Sequence, residues 1–237
     1  ILDENGFGPL VIGPDGTKWV GSYRNGVIGF NDNGNLIRQI VGEDVANLPI
    51  NHIKSLALDN NNILWIGTYK GLRILYNTSN FFTEDVITTS PIIFIEDGLP
   101  KELLELQFIT AIIVDGSNNK WISTVDSGVF YLSSDGQNTI YHFTKDNSPL
   151  PSNGITSMAQ NQNDGTIYFG TNQMMRKHGE AATKNICTYS YYARSISCRR
   201  IFKLFSSSAL LVCFLYSSFS VKLNLLIGLF LNTYFGS

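Results

Sequence analysis

The side chains that could bind a metal ion stand in short turns rich in asparagine and glycine. Four aspartates in these turns offer the clustered oxygen ligands that calcium prefers, namely Asp32, Asp59, Asp115 and Asp164. None of the turns has the D-x-[DN]-x-[DN]-G spacing with a distal glutamate that a calcium-binding loop requires. We therefore interpret them as hairpin turns, because Asn, Asp and Gly tolerate left-handed backbone geometry.

Histidine, cysteine and serine offer no stronger candidates for chemistry. His52, His142 and His178 lack the spacing of metal ligands, and all three cysteines lie beyond residue 186. The sequence contains no G-x-S-x-G motif, no credible Ser/His/Asp grouping and no glycine-rich phosphate loop of the right spacing. The sequence therefore predicts no catalytic residue, no metal site, no cofactor and no enzyme activity.

The charge distribution argues against one class of partner. Charged residues make up 15% of the chain, and the formal net charge is −2. Residues 1–180 hold all 19 acidic residues but only 11 of the 17 basic ones, so this part of the chain is acidic. Because a protein that binds nucleic acid needs a basic face, we expect no nucleic-acid partner.

The elements that must position any functional residue recur along the chain. Four similar segments cover residues 16–22 (GTKWVGS), 62–68 (NILWIGT), 118–124 (NNKWIST) and 165–171 (GTIYFGT). Their central aromatic residues, the repeat anchors, are separated by 46, 56 and 47 residues and are Trp19, Trp65, Trp121 and Tyr168. A period of roughly 40–50 residues with one aromatic strand motif in each repeat predicts a β-propeller with one blade per repeat.

The composition agrees with this architecture. Few charges, 21 glycines and many β-branched residues suit an all-β fold. We predict a β-propeller fragment of about four blades within residues 1–180, with repeats near 7–44, 48–97, 105–146 and 150–177. The anchors are expected to pack between blades. Leu103, Leu104 and Leu106 in the segment 97–107 predict about two helical turns, an insertion that accounts for the longer middle step.

The last part of the chain has a different composition. Residues 181–237 contain no acidic residue, and residues 204–221 form an apolar and hydroxyl-rich run between two lysines. Three hypotheses remain open for this hydrophobic tail: the product of a shifted reading frame, a marginal transmembrane helix with a basic flank, or a disordered segment. Membrane contact is expected only if residues 204–221 form a genuine helix.

Two repeats resemble a known family. Residues 48–72 (LPINHIKSLALDNNNILWIGTYKGL) and 150–172 (LPSNGITSMAQNQNDGTIYFGTN) are similar to the two-component regulator propeller repeat, from which Ser123 and Tyr168 depart. Residues 96–108, 115–136 and 141–153 resemble more closely the PorZ-like branch of propellers in the Por (type IX) secretion system. That resemblance implies export to the periplasm or outer-membrane surface of a Bacteroidetes-like bacterium. It also implies a surface complex beside a sortase-like protease, and binding of a glycan or anionic lipopolysaccharide.

The loops that precede the first strand of a blade line one face of a propeller, so they hold our candidates for ligand contact. These are Asn51, His52, Ser152 and Asn153. We expect a non-enzymatic binding or scaffold module at the cell surface. The alternative is the periplasmic ligand-sensing half of a hybrid two-component histidine kinase, which the general repeat fits equally well. A propeller lyase or hydrolase would need His, Arg and acidic residues clustered on one face, and the sequence has no such set.

Overall fold

The computed structural model describes residues 6–175, 183–190 and 195–200, with side chains as far as residue 171. The regular elements in these residues are β-strands, apart from a single four-residue helix. No helix within the described residues is long and apolar enough to cross a membrane. The hydrophobic run at 204–221 lies outside the described residues, and its three hypotheses stay open.

The strands form successive antiparallel sheets, each assembled in chain order. In the first blade, β1 to β4 span Phe7–Ile12, Lys18–Ser22, Val27–Phe30 and Ile37–Ile40. After helix α1 (Glu43–Ala46), strands β5 to β7 of the second blade span Ile53–Leu58, Leu64–Thr68 and Gly71–Leu75.

A separate two-stranded ribbon consists of β8 and β9, spanning Ile93–Glu96 and Leu99–Glu102. In the third blade, β10 to β13 span Ile109–Val114, Lys120–Thr124, Val129–Leu132 and Thr139–Phe143. In the fourth, β14 to β17 span Ile155–Gln160, Ile167–Met175, Thr183–Ser190 and Ser195–Arg200.

The blades are arranged around their first strands. Strand β5 contacts both β1 and β10, and β10 also contacts β14, so the first strands of neighbouring blades pack side by side. The three apolar clusters of the core lie between successive blades, as a propeller requires. The predicted all-β propeller of about four blades is confirmed.

The repeat anchors occupy one register position. In the antiparallel pairing of the first two strands of each blade, Trp19, Trp65, Trp121 and Tyr168 lie opposite Val11, Ala57, Ile113 and Ala159. The three tryptophans are at most 2% exposed, whereas Tyr168 is 39% exposed. Each tryptophan is covered by elements that follow its own blade, while Tyr168 lies on the side of the fourth blade that faces away from the third. The shared position therefore gives burial only where a covering element is present.

The predicted helical insertion in residues 97–107 is wrong. The segment begins with the turn of the β8–β9 ribbon, in which Asp97 and Gly98 have φ values of 53° and 76°. An Asp-Gly pair with two positive φ values is the preferred turn of a tight hairpin. Leu104 also has a positive φ, of 56°, and its side chain is buried between the second and third blades. Hairpin chemistry and burial therefore override the leucine spacing that suggested a helix.

Two blades depart from the simple repeat. The second blade has three strands, and a single bridge between Ile74 and Ser90 stands where the other blades have a fourth strand. In the fourth blade, β16 pairs with β15 and β17 pairs with β16, and both strands lie beyond residue 177, where the sequence pattern stops. The sheet thus continues into the segment that we predicted as tail, and the division of the chain at residue 180 stays a prediction.

Candidate functional site

Two kinds of loop meet at one face of the propeller, which we call the loop face. One kind precedes the first strand of a blade, and the other joins the second strand to the third. Their backbones are hydrogen-bonded in each of the first three blades: the amides of Tyr23, Tyr69 and Val125 donate to the carbonyls of Gly6, His52 and Phe108, at 3.0, 3.4 and 3.1 Å. The loop face is therefore built from repeated, backbone-defined positions.

Four rings at these positions form a continuous stack, which we call the aromatic row: Tyr23, His52, Tyr69 and Phe108. The centroids of His52 and Tyr69 are 3.6 Å apart, and those of Tyr69 and Phe108 are 3.7 Å apart. The ring of Tyr23 is tilted against His52 at 4.7 Å. Tyr23 is 42% exposed and the other three rings are half-buried, so the row crosses three blades and remains accessible at the surface.

His52 is the titratable member of the row. Its Nε2 atom is buried and has no hydrogen-bond partner among the described residues. Burial lowers the pKa of His52 below the ordinary value of 6.5, and the positive charge of Lys54 lowers that pKa further. The imidazole is consequently neutral at neutral pH and packs between its neighbours as an apolar ring.

Basic side chains accompany the row. Arg24 and Lys70 follow Tyr23 and Tyr69 directly in the sequence and are exposed, and Lys54 is half-buried. The faces of the stacked rings cover one another, so a ligand meets mainly ring edges, which carry the positive end of the aromatic quadrupole. Ring edges beside cations suit an anionic or hydroxyl-rich ligand better than a cationic one.

The other predicted ligand-contact residues have structural partners. The Asn51 side-chain oxygen accepts a hydrogen bond from the Gly42 amide at 2.8 Å, and that of Asn153 accepts one from the Lys145 amide at 2.7 Å. Ser152 Oγ accepts one from the Gly154 amide at 3.0 Å. The Asn51–His52 pair precedes β5 and the Ser152–Asn153 pair precedes β14, with β10 between these strands. Direct ligand contact by these four residues stays a prediction.

Sequence reasoning identified His52 but missed Tyr23, Tyr69 and Phe108. The repeat does contain a signal for them. Tyr23 and Tyr69 each follow a Gly-Ser or Gly-Thr pair at the end of an anchor segment, and His52 and Phe108 each directly precede the first strand of a blade. Comparing these two repeat positions would have marked all four rings.

The Asp59 turn serves the interface between the second and third blades. Asp59 Oδ1 accepts hydrogen bonds from the amides of Asn61 and Ile63, and Oδ2 accepts one from the Trp65 indole at 3.1 Å. Oδ2 also lies 2.8 Å from Lys120 Nζ of the third blade, and both side chains are fully buried. Among the described residues, no three His, Cys, Asp or Glu side chains converge as metal ligands do.

The Asp59–Lys120 pair is held by several further contacts. Lys120 Nζ donates to the Asn118 carbonyl at 2.7 Å and lies 4.7 Å from the centre of the Trp65 ring. Burial alone would raise the pKa of Asp59. The hydrogen bonds from Lys120, the Ile63 amide and Trp65, together with the lysine charge, lower it below the ordinary value of 3.8. The carboxylate is therefore ionised and acts as a structural link between blades.

Comparison with known proteins supports this architecture. Residues 47–70 match the family described as "Two component regulator propeller", and no curated protein matches the chain. The structure is similar to PorZ, a bacterial surface component of the type IX secretion system of Porphyromonas gingivalis, with a TM-score of 0.63 and 22% identity over 82% of this chain and 38% of that one.

Two proteins of Bacteroides thetaiotaomicron have a similar fold. The extracellular domain described as that of a hybrid two-component system gives a TM-score of 0.58 and 18% identity, over 81% of this chain and 24% of that one. An auxiliary nutrient binding protein gives a TM-score of 0.54 and 11% identity, over 85% of this chain and 43% of that one. The chain thus spans less than half the length of each of these three structures. Residues 47–70 match the two-component regulator propeller repeat, and the described chain has a β-propeller fold similar to that of PorZ.

Proposed function

We propose that this chain is a non-enzymatic binding and scaffold propeller of an exported protein, and that it holds its ligand on the loop face. The aromatic row carries this proposal. Four rings in contact from the first blade to the third form an apolar platform that needs no rearrangement to bind, so little conformational entropy is lost on association. The row lies on loops supported by rigid sheets, which is where binding residues are usually found.

The ligand that fits this platform best is an anionic glycan, such as the carbohydrate part of a lipopolysaccharide. Sugar hydroxyl oxygens can lie against the positive ring edges, while Arg24, Lys54 and Lys70 offer charge to phosphate or carboxylate groups. The similarity to a surface component of the type IX secretion system supports a place at the outer surface of the cell. The sequence resemblance extends this proposal to a complex that includes a sortase-like protease. In that complex the propeller would present the glycan and would not modify it.

A binding measurement with matched tyrosine variants tests the proposal. The full chain is titrated with lipopolysaccharide that carries an anionic polysaccharide and with one that carries a neutral polysaccharide. Tyr23→Ala should weaken binding of the anionic form about ten-fold, within the range of a central contact residue. Tyr141→Ala is the control, because Tyr141 is 47% exposed but lies on β13, the outer strand of the third blade. Equal binding by wild type and Tyr23→Ala would overturn the proposal.

The second candidate function is ligand sensing for a hybrid two-component kinase. The matched repeat at 47–70 and the extracellular sensor domain of similar fold favour it. A sensor should bind a free oligosaccharide as tightly as the lipid-linked form, because its ligand reaches it by diffusion. The complete coding sequence of the gene provides the second test: the sensor requires a membrane helix and a kinase downstream of the propeller, whereas the scaffold requires neither.

A further inference from the structure

The first blade has an uncovered side, which we call the open face: the side turned away from the second blade. Leu10 and Ile12 of β1 lie on it and are 59% and 61% exposed. The residues equivalent to Leu10 in the second and third blades are Leu56 and Ile112, and each is 6% exposed because the preceding blade covers it. The open face is thus a blade-to-blade contact surface without a covering blade among the described residues.

Lys18 lies on the open face in the position that Lys120 has in the third blade. Each lysine begins the second strand of its blade, and each Nζ donates to the backbone carbonyl of the residue fourteen positions later, which is Asp32 or Ser134. Lys120 also contacts the buried Asp59 carboxylate of the preceding blade. Within the described residues, the only carboxylate near Lys18 is that of Asp32 in its own blade, at 3.7 Å, and the Asp32 side chain is 80% exposed. The ammonium group is therefore positioned as in the third blade, but without a buried carboxylate.

The first and third blades also share a glycine at an equivalent position. Gly34 and Gly136 both have a φ of 76° in the turn that joins the third and fourth strands. A Cβ atom added to Gly136 would lie 2.8 Å from the Trp65 ring of the preceding blade, so the indole lies directly against this glycine. A Cβ atom at Gly34 would meet no described atom within 4 Å. The space that an indole fills at the third blade is open at the first.

At the other two interfaces the lysine position holds an apolar residue. The second blade has Leu64 at the lysine position, and the first blade presents Gly13 to it where the second has Asp59. The fourth blade has Ile167 at that position, and Asp115 of the third blade is instead satisfied by Tyr131 of its own blade at 2.9 Å. Lysine thus occurs where an aspartate of the preceding blade needs a charged partner.

We propose that the open face is a docking surface for a β-propeller blade that carries an aspartate six residues before a tryptophan, the spacing of Asp59 and Trp65. The aspartate pairs with Lys18, the indole covers Gly34, and the apolar part of the blade covers Leu10 and Ile12. Charge complementarity and the three blade interfaces already present in the chain favour this occupant over an unrelated protein. The proposal is independent of the ligand on the loop face.

A tandem protein tests the proposal. A second copy of residues 47–107 is placed ahead of residue 1 of the full chain, and urea unfolding is measured for a double-mutant cycle. The cycle combines Lys18→Met with Asp59→Asn in the added copy. We expect a coupling that changes the unfolding equilibrium constant about ten-fold or more, as for hydrogen bonds to charged groups. The cycle of Lys120→Met with Asp59→Asn within the original chain is the internal reference and should give a similar coupling.

Three outcomes would overturn the proposal. The first is a coupling below about two-fold at Lys18 while the reference cycle is coupled. The second is that the added blade does not fold onto the chain. In that case the amides of Leu10 and Ile12 exchange hydrogen as fast in the tandem as in the single chain. The third is a dimer of the unmodified full chain, seen by light scattering and abolished by Lys18→Glu. Asp59 and Asp115 of a second copy already have partners within that copy, so the occupant would then lack the proposed aspartate.

Discussion

The interface between the first and second blades and the interface between the second and third use the same positions for opposite chemistry. At the first interface the facing residues are Gly13 and Leu64, and the apolar cluster there includes Trp19 packed edge-on against Phe81 at 4.6 Å. At the second, the equivalent residues are Asp59 and Lys120, which form a buried ion pair over Trp65. The backbone register around the tryptophans is the same at both.

The difference shows how a repeat protein can encode the order of its units. An apolar contact is satisfied by any apolar neighbour of suitable shape. A buried ion pair is stable only with its partner present, because a single charge left in a desolvated site is costly. We infer that the second interface selects its neighbour, whereas the first mainly supplies burial. The predictions below test this contrast, beginning with the largest effect.

Removing the carboxylate should have the largest effect. Asp59→Leu leaves the fully buried ammonium of Lys120 without its counter-ion, so the free energy of unfolding should fall by about 3–5 kcal/mol. Asp115→Leu is the matched control. It removes a carboxylate that accepts the same turn hydrogen bonds, but no buried lysine pairs with Asp115 within the described residues. Urea unfolding of the full chain measures both. Equal losses for the two variants would show that the ion pair adds nothing to the second interface beyond the turn hydrogen bonds that both aspartates accept.

Converting the second interface to the chemistry of the first should recover most of that loss. In the double variant Asp59→Asn with Lys120→Leu, the asparagine keeps an oxygen for the turn amides, and the leucine matches Leu64 of the second blade. Replacing a buried ion pair by apolar residues is often neutral or stabilising, so unfolding free energy should lie within about 1–2 kcal/mol of wild type.

The double variant also sharpens the contrast between stability and selection. With Lys120→Leu in place, the converted interface should no longer favour an aspartate over an asparagine at position 59. A double variant as unstable as Asp59→Leu would mean that the second interface cannot accept apolar packing, and that the two interfaces differ in shape as well as in charge.

The blades themselves were predictable because their signals are local. Each anchor motif lies within a few residues of its hairpin turn, so aromatic spacing and turn residues specify strands without knowledge of distant partners. The Asp59–Lys120 pair was not predictable, because its members are far apart in sequence, Asp59 lies in a turn typical of a solvated surface, and Lys120 begins a strand next to a similar turn. The aromatic row was missed for the same reason, apart from His52. The failure at residues 97–107 came from a leucine pattern whose burial depends on the neighbouring blade.

Acid should affect the two interfaces in separate pH ranges. The pKa of His52, which packs between Tyr23 of the first blade and Tyr69 of the second, is lowered in the folded chain. The unfolded chain therefore binds this proton first, and the stability associated with a neutral His52 is present above pH 6.5 and is lost as the pH falls through the lowered value. The pKa of Asp59 is also lowered, so its contribution is present above pH 3.8 and is lost only in stronger acid.

Unfolding free energies measured from pH 8 to pH 3 check this separation. His52→Phe should remove the stability loss that begins below pH 6.5 and leave the loss below pH 3.8 unchanged. The converted interface, with Asp59→Asn and Lys120→Leu together, should keep the loss below pH 6.5 and remove the one below pH 3.8. His142→Phe serves as the control, since His142 is exposed on β13, outside the aromatic row. If His52→Phe keeps the full loss below pH 6.5, another group titrates there and the first interface is not the one sensitive to mild acid.

The smallest effect concerns one hydrogen bond between turns. Asn118 Oδ1 accepts a hydrogen bond from the Asn60 amide at 2.9 Å, which links the turns of the third and second blades at an exposed position. Asn118→Gly removes the acceptor but keeps the positive φ of 62°, so we expect a loss of about 0.5–1 kcal/mol. Asn62→Gly is the matched control in the second blade, where φ is 60° and the equivalent residue of the first blade is Gly16. The control should be near neutral in urea unfolding. Equal effects would mean that the turn-to-turn bond contributes nothing, and that selectivity at the second interface depends on the buried ion pair alone.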